Sequence, residues 1–243
     1  MASIKDAIEE SFIETSSFPK YIILGSLVYV NYQLFMAGNG FAIPLAILNY
    51  ILLTGFMLRV SHNVRNCANH ILPSFNPIPI LISGLKGLLA LGPSILLNSF
   101  LGKVIGTVAV AFILTHAQFS VSNAVMAIIV YCIIGALFMS FIYTSYVLYI
   151  KNFKIAEAYD VQIIWRYSSD VLVGVFVFYI LGTLANIIFI GGATYLFWIL
   201  AGLPNPYCTF VWCMAIPWNC AVAGNYLAQI GYESIEAKSD SDL

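Results

Sequence analysis

The chain has 243 residues, of which 61% are hydrophobic and only 9% are charged, and its formal net charge is −1. Because soluble domains carry about 25% charged residues, this composition excludes an ordinary water-soluble domain. The balanced charge and the lack of a basic patch also argue against nucleic-acid binding.

The N-terminal segment, residues 3–18, is predicted to be an interfacial helix. Ile4, Ile8 and Phe12 recur at four-residue spacing, while charged side chains occupy the other faces. The segment has neither the basic start nor the small-residue cleavage site of a signal peptide. We therefore expect the first membrane span to be retained in the mature protein.

Long apolar stretches predict six membrane-spanning helices, because each approaches or exceeds the roughly 20 residues that cross a bilayer core. The predicted spans are residues 21–36, 41–60, 82–101, 123–149, 171–200 and 209–229. Placing the third span at 82–101 lets Lys86 and Lys103 reach opposite interfaces. Residues 104–117 then form a further apolar segment near the outer face, and the sequence leaves open whether it is a separate re-entrant segment.

The distribution of charge predicts the orientation in the membrane. All 11 acidic residues lie in 1–20, in 151–170 or after residue 232, and most basic residues lie in the same segments or in the connector at 59–65. The predicted hairpin turns at 36–40, 116–121 and 202–208 carry no charge. Since Lys and Arg favour the cytoplasmic side, we expect a multi-pass protein of the cytoplasmic (inner) membrane with both termini in the cytoplasm.

A second amphipathic helix is predicted over residues 152–168, where Ile155, Tyr159, Ile163 and Tyr167 recur every four residues. Like the N-terminal segment, it precedes a helical hairpin. The predicted fold is an all-α integral membrane protein: about six transmembrane helices in three hairpin units, with cytoplasmic amphipathic interfacial helices. It forms a single transmembrane domain over residues 1–231, followed by a polar, disordered tail over 232–243.

The predicted cytoplasmic face holds the candidate ligand contacts of the chain. Arg59, Arg65, Lys86 and Lys151 are expected to gather there and to contact anionic lipid head groups or a membrane-protein partner. Topological anchoring explains the same residues without any ligand, because every multi-pass protein needs it. The expected partners are membrane lipids, with a partner membrane protein or a homo-oligomer as further candidates, and no nucleic acid.

The connector between the second and third spans also carries a family resemblance. Its motifs are Gly55-Phe56 before a helix end with Arg59 and Arg65, the turn Leu72-Pro73 with Phe75, and Gly84-Leu85-Lys86 opening the next span. In these motifs the chain resembles an uncharacterised prokaryotic family of polytopic membrane proteins, domain of unknown function four-zero-one-three. Ser74 and Asn76 stand where that family has carboxylates, and His62 where it often has arginine. The resemblance implies a multi-span membrane protein of a bacterium or archaeon, and it implies no activity.

Three short patterns could carry chemistry, and each is incomplete. His62, Cys67 and His70 could supply three metal ligands, but no second cluster completes a tetrahedral set. Ser83 and Lys86 match a Ser-x-x-Lys pair without its partner motifs. A disulfide through Cys208 requires an oxidising outer side. No catalytic, cofactor-binding or metal-binding residue is therefore predicted, and no cofactor.

We interpret the chain as a non-catalytic polytopic membrane protein, an accessory or scaffold component that interacts with lipids or with a partner membrane complex. The predicted spans lack carboxylates, and the amphipathic segments suit docking at a membrane surface. The alternative is a small transporter or lipid-handling permease, which would use the hairpin repeat and span asparagines such as Asn98, Asn186 and Asn219. A membrane enzyme using Ser83 and Lys86 is a third hypothesis.

Overall fold

The computed structural model describes residues 3–14, 17–74, 76–116, 121–200, 202 and 205–236. The helices are α1 (Ile4–Ile13), α2 (Ser17–Met36), α3 (Ala42–Arg65), α4 (Pro77–His116), α5 (Val121–Asn152), α6 (Val161–Asn186), α7 (Gly192–Tyr195) and α8 (Asn205–Gly231). A 3₁₀ turn (Ile155–Tyr159) joins α5 to α6, and π-helical turns lie at Ile187–Gly191, Leu196–Leu200 and Tyr232–Glu236. The described residues contain no strand, so the all-α prediction is confirmed.

Four of the described helical stretches are long and apolar enough to cross a membrane. They are Ala42–Arg65, Pro77–Thr115, Ser122–Asn152 and Val161–Ile199. These stretches correspond to predicted spans two to five, apart from residues 41 and 200 at the span ends, and they support the prediction of a membrane-embedded helical protein. Spans one and six fall in α2 and α8, which are not among the four stretches.

Helix α4 differs from the prediction, because residues 104–116 continue it instead of forming a separate re-entrant segment. Its 40 residues make a helix about 60 Å long. Packing against α5 extends into this part: a Cβ on Gly102 would lie 3.2 Å from Phe138, and one on Gly106 would lie 2.8 Å from the Tyr131 ring. Contact with a neighbouring antiparallel helix accompanies α4 beyond the predicted end of the span. Residue 117 lies outside the described part of the chain.

The second amphipathic helix, predicted over residues 152–168, is absent as a separate element. The 3₁₀ turn occupies its first half, and α6 begins at Val161. Asp160 is the N-cap of α6, because its Oδ1 accepts the backbone N–H of Ile163 at 3.1 Å. The four-residue spacing of the apolar side chains therefore continues across a helix boundary. The second half of the predicted helix belongs to the first two turns of α6.

The buried core lies at one end of the bundle, which we call the packed end. It comprises α1, the start of α2, the C-terminal parts of α3 and α5, the N-terminal parts of α4 and α6, and the C-terminal half of α8. The predicted tail begins with a π-helical turn whose Ile235 is buried in this core. Residues 237–243 of that tail lie outside the described residues.

The described parts of α5 and α6 away from the packed end expose most of their apolar side chains. In the most apolar 18-residue windows of the candidate spans, 33% of α3 and 39% of the α4 span are buried, against 11% in the α5 span and 12% in the Val161–Ile199 stretch. Lipid or another protein must cover such a surface in a membrane. The fold thus combines a packed end with helices that present apolar faces outward.

Glycines allow close helix crossings within the bundle. A Cβ on Gly55 of α3 would meet the carbonyl oxygen of Ile80, and one on Gly84 of α4 would meet the carbonyl oxygen of Ile51. Small residues are used in this way between membrane helices, where backbones must approach closely to gain packing energy. The α3–α4 crossing therefore depends on both glycines.

We expect Gly55→Ala to destabilise the protein by about 1–3 kcal/mol, because the added methyl group overlaps backbone atoms that cannot rotate away. Thermal unfolding in detergent measures the effect. Gly135→Ala is the matched control, since a Cβ at this helical glycine has nothing within 4 Å. Equal melting temperatures for the two variants would contradict the close crossing.

Candidate functional site

The packed end holds a buried ion pair that sequence analysis did not predict. Lys20 Nζ of α2 lies 3.2 Å from Glu14 Oε2, and the two side chains are only 10% and 13% exposed. Glu14 Oε1 also accepts the backbone N–H of Leu72 at 2.8 Å. The pair therefore joins the end of α1 and the start of α2 to the connector between α3 and α4.

A second acidic residue of α1 reaches into the core. Asn225 of α8 is fully buried and donates from Nδ2 to Glu10 Oε2 at 2.7 Å. Gln229 donates from Nε2 to Asn225 Oδ1 at 3.0 Å, and its own Oε1 accepts the backbone N–H of Ser3 at 2.8 Å. This chain of hydrogen bonds fastens α1 along one face of α8.

Three helices meet at Ser61, which is fully buried in α3. Its hydroxyl lies 2.6 Å from the Tyr146 hydroxyl of α5 and 2.7 Å from the carbonyl oxygen of Gly224 in α8. A Cβ on Gly224 would lie 2.7 Å from the carbonyl oxygen of Met57, so only glycine permits this approach. The serine therefore ties α3, α5 and α8 together.

The two arginines of the predicted head-group set have internal partners. Arg59 donates from Nε to Ser83 Oγ at 2.7 Å, and its guanidinium lies 5.9 Å from the centre of the Phe153 ring. Arg65 donates from Nη1 to the carbonyl oxygen of Val147 at 2.7 Å. Both guanidinium groups thus join α3 to a neighbouring helix, a role that does not require a lipid.

The two lysines of that set are exposed. Lys86 lies on α4, and within the described part of the chain it has no hydrogen-bond or ion-pair partner. Lys151 lies at the end of α5, where it lines a groove of about 620 Å³ together with Asp160 and Arg166. These lysines therefore remain the accessible members of the predicted head-group set.

Two residues of the patterns that could have carried chemistry make structural contacts. His62 Nδ1 lies 3.0 Å from the carbonyl oxygen of Ile150, and Ser83 accepts the hydrogen bond from Arg59. No group of three potential ligands that could hold a metal ion occurs among the described residues. All five cysteines are free, so the disulfide considered for Cys208 is not formed.

Near the α5–α6 turn, desolvation by burial raises the pKa of Tyr159.

A cleft of about 540 Å³ lies between α4, α5 and α6. Its lining is apolar apart from a few side chains, which include Asn98 and Lys103 of α4 and Tyr131 of α5. Gly135 faces into the cleft from α5, and a Cβ there would have open space around it. Sequence analysis placed Lys103 at an interface but gave no signal for the cleft, because its walls come from three separate helices.

We expect Glu14→Gln or Lys20→Met alone to cost about 3–5 kcal/mol, because each change leaves the partner charge buried and uncompensated. The double variant Glu14→Gln/Lys20→Met should lose less than the sum of the two single losses. Thermal or denaturant unfolding in detergent measures the three values. Lys5→Met is the matched control, since the Lys5–Glu9 pair is exposed. Additive losses would contradict a coupled pair.

Comparisons with protein-family models, with curated proteins and with solved structures find no match for this chain. The resemblance of residues 55–89 to the uncharacterised prokaryotic family therefore stays a prediction from sequence motifs, and one motif residue, Phe75, lies outside the described residues. Function is inferred below from the geometry of this chain alone.

Proposed function

We propose that the protein is a non-catalytic, multi-pass membrane scaffold that holds lipids or a partner membrane protein against its exposed helices. The observation that supports this most directly is the uneven burial of the helices: the packed end is fastened by polar contacts, whereas α5 and α6 present apolar faces outward. A protein with one tightly packed end and exposed apolar helices is suited to hold lipids or a partner membrane protein against those helices.

The polar groups of the packed end support the same proposal. Glu10 and Glu14 bind α8 and Lys20, Ser61 joins three helices, and Arg59 bonds to Ser83. A catalytic site needs acids, bases or nucleophiles that are available to a substrate. Here these groups have structural partners, which favours a structural over a catalytic role.

The proposal includes six spans, with α2 and α8 crossing the membrane alongside the four more apolar stretches. Helix α2 has 20 residues and α8 has 27, which is long enough for the bilayer core. Both pack closely, since a Cβ on Gly25 of α2 would lie 2.6 Å from the backbone of Met214. With six spans and the positive-inside rule, both termini lie on the cytoplasmic side of the inner membrane.

Reporter fusions test this topology. A fluorescent protein that folds only in the cytoplasm should be bright when fused after residue 243, and alkaline phosphatase should be active when fused at Asn39. The physical reason is that the turn at Asn39 lies one span away from the charged N-terminal segment. Active phosphatase at the C-terminus would contradict an even number of spans.

A lipid-handling permease is the second candidate, and the cleft beside α4 favours it. Asn98 lines this cleft, and Asn186 and Asn219 exchange hydrogen bonds of 2.9 and 2.8 Å between α6 and α8. Polar side chains within spans can line a substrate path. The Asn186–Asn219 pair is satisfied within the protein, however, so it supports helix packing at least as well as transport.

Proteoliposomes with a fluorescent lipid in both leaflets separate the two candidates. A scaffold leaves the inner-leaflet lipid protected from a membrane-impermeant quencher, whereas a permease exposes all of it. We expect protection equal to that of protein-free vesicles. Complete quenching, lost in Asn98→Ala but kept in Asn186→Ala, would overturn the scaffold proposal in favour of a permease.

Tryptophan substitution tests where the scaffold makes contact. Ile128 of α5 and Leu184 of α6 are 63% and 50% exposed, and a bulky side chain there should release a bound partner without unfolding the protein. Ile47→Trp on α3, at a position 58% exposed, is the matched control and should retain the partner. Native mass spectrometry after mild extraction measures the complex. A bare monomer in the unsubstituted protein, with no retained lipid, would argue against a scaffold.

A further inference from the structure

The cleft between α4, α5 and α6 has the shape and lining of a ligand site. Its volume of about 540 Å³ falls in the ordinary range for such sites, which are mostly apolar with a few polar groups that set orientation. Phe138 of α5 and Phe176 of α6 contribute aromatic walls, and Gly135 leaves open space at its position. A long apolar group fits this lining.

One positively charged side chain is found among the described residues that line the cleft. Lys103 is the charged residue of the lining, and it has no counter-ion or hydrogen-bond partner among the residues that the structure describes. The amide of Asn98, which also lines the cleft, donates to the carbonyl oxygen of Ser94 at 2.9 Å. An ammonium group within an apolar helix is costly unless an anion or water neutralises it. We therefore expect a negatively charged group to lie beside Lys103.

The position of Lys103 along α4 suits a lipid head group. It follows Lys86 by 17 residues on one continuous helix, which corresponds to about 25 Å. The hydrocarbon core of a bilayer is about 30 Å thick. With Lys86 near one boundary, Lys103 lies near the other, where phosphate groups are found.

We infer that this cleft binds one anionic phospholipid, with its phosphate on Lys103 and an acyl chain along Gly135. A second copy of the chain fits less well, because a two-fold symmetric contact through the cleft would bring the two Lys103 side chains together. None of the described residues that line the cleft is acidic, so none of them would neutralise the two lysines. The site rests on the proposed function, since it names the lipid class that the scaffold holds.

Native mass spectrometry of the purified protein, titrated with phosphatidylglycerol or with phosphatidylcholine, tests the site. We expect tighter binding of phosphatidylglycerol. Lys103→Gln should weaken phosphatidylglycerol binding by about fivefold and leave phosphatidylcholine binding unchanged. Lys86→Gln removes the same charge from the same helix away from the cleft, so its loss should be smaller.

Gly135→Leu tests the acyl-chain part of the site. The leucine side chain has open space, so the protein should fold, but it occupies the cleft and should reduce binding of both lipids. Gly192→Leu is the matched control, because a Cβ there also has nothing within 4 Å and the residue does not line the cleft. Circular dichroism and thermal unfolding verify that all four variants fold.

Three results would overturn the site: equal binding of the two lipids by the unsubstituted protein, equal losses in Lys103→Gln and Lys86→Gln, or a Gly135→Leu variant that binds lipid normally. A dimer that Gly135→Leu dissociates would also overturn it, in favour of a second copy as the occupant. A protein that retains a partner subunit but shows no lipid preference overturns this site alone and leaves the scaffold proposal standing.

Discussion

The close approach of α8 to α3 at Gly224 is the contact on which the packed end depends. Between helices in a membrane the hydrophobic effect gives little attraction, so association relies on close packing and on polar contacts. Gly224 allows the close packing, because it leaves room for the carbonyl oxygen of Met57. Ser61 provides a polar contact, because its hydroxyl bonds to the Gly224 carbonyl. Tyr146 joins the same hydroxyl, which brings in the end of α5.

Helix α1 is then held by α8 rather than by a membrane surface alone. Glu10 reaches the buried Asn225, and Trp218 donates from Nε1 to Ser11 Oγ at 3.1 Å. Glu14 makes further contacts of this kind, because it pairs with Lys20 and accepts a hydrogen bond from Leu72 in the connector. An amphipathic helix ordinarily turns its charges to water. Here Glu10 of α1 and the C-cap residue Glu14 face the protein, so α1 is held against the packed end.

This arrangement separates two kinds of basic residue. Arg59 and Arg65 lie at the end of α3 and hold α4 and α5, so their charges are used within the fold. Lys86 and Lys103 lie on α4 and have no partner within the described chain. Guanidinium groups offer several planar donors and suit buried crossings, whereas an ammonium on a flexible stem suits an exposed anion. The chemistry of the residue type thus agrees with where these four cations lie.

Sequence reasoning could predict features that depend on neighbouring residues. It placed a turn at Gly38, where the backbone adopts φ +65, and it placed a helix over residues 3–18 from the spacing of Ile4, Ile8 and Phe12, whereas α1 ends at Ile13. It extended a helix through Asp160, because apolar periodicity continues across this position while the cap depends on backbone geometry. It also assigned Arg59 and Arg65 to head groups, since an arginine at a helix end has the same sequence appearance whether it meets lipid or a carbonyl.

The amino-acid sequence by itself determined that the chain is helical and built for a membrane, because helix formation and apolar length are properties of single segments. Only the tertiary structure decided which charges are buried, where the core lies and where a cleft opens. Glu14 and Lys20 become a buried pair through the docking of the Leu72 connector, and Lys103 becomes a cleft residue through the meeting of three helices. These features depend on how separate segments pack, and local pattern carries no information about that packing.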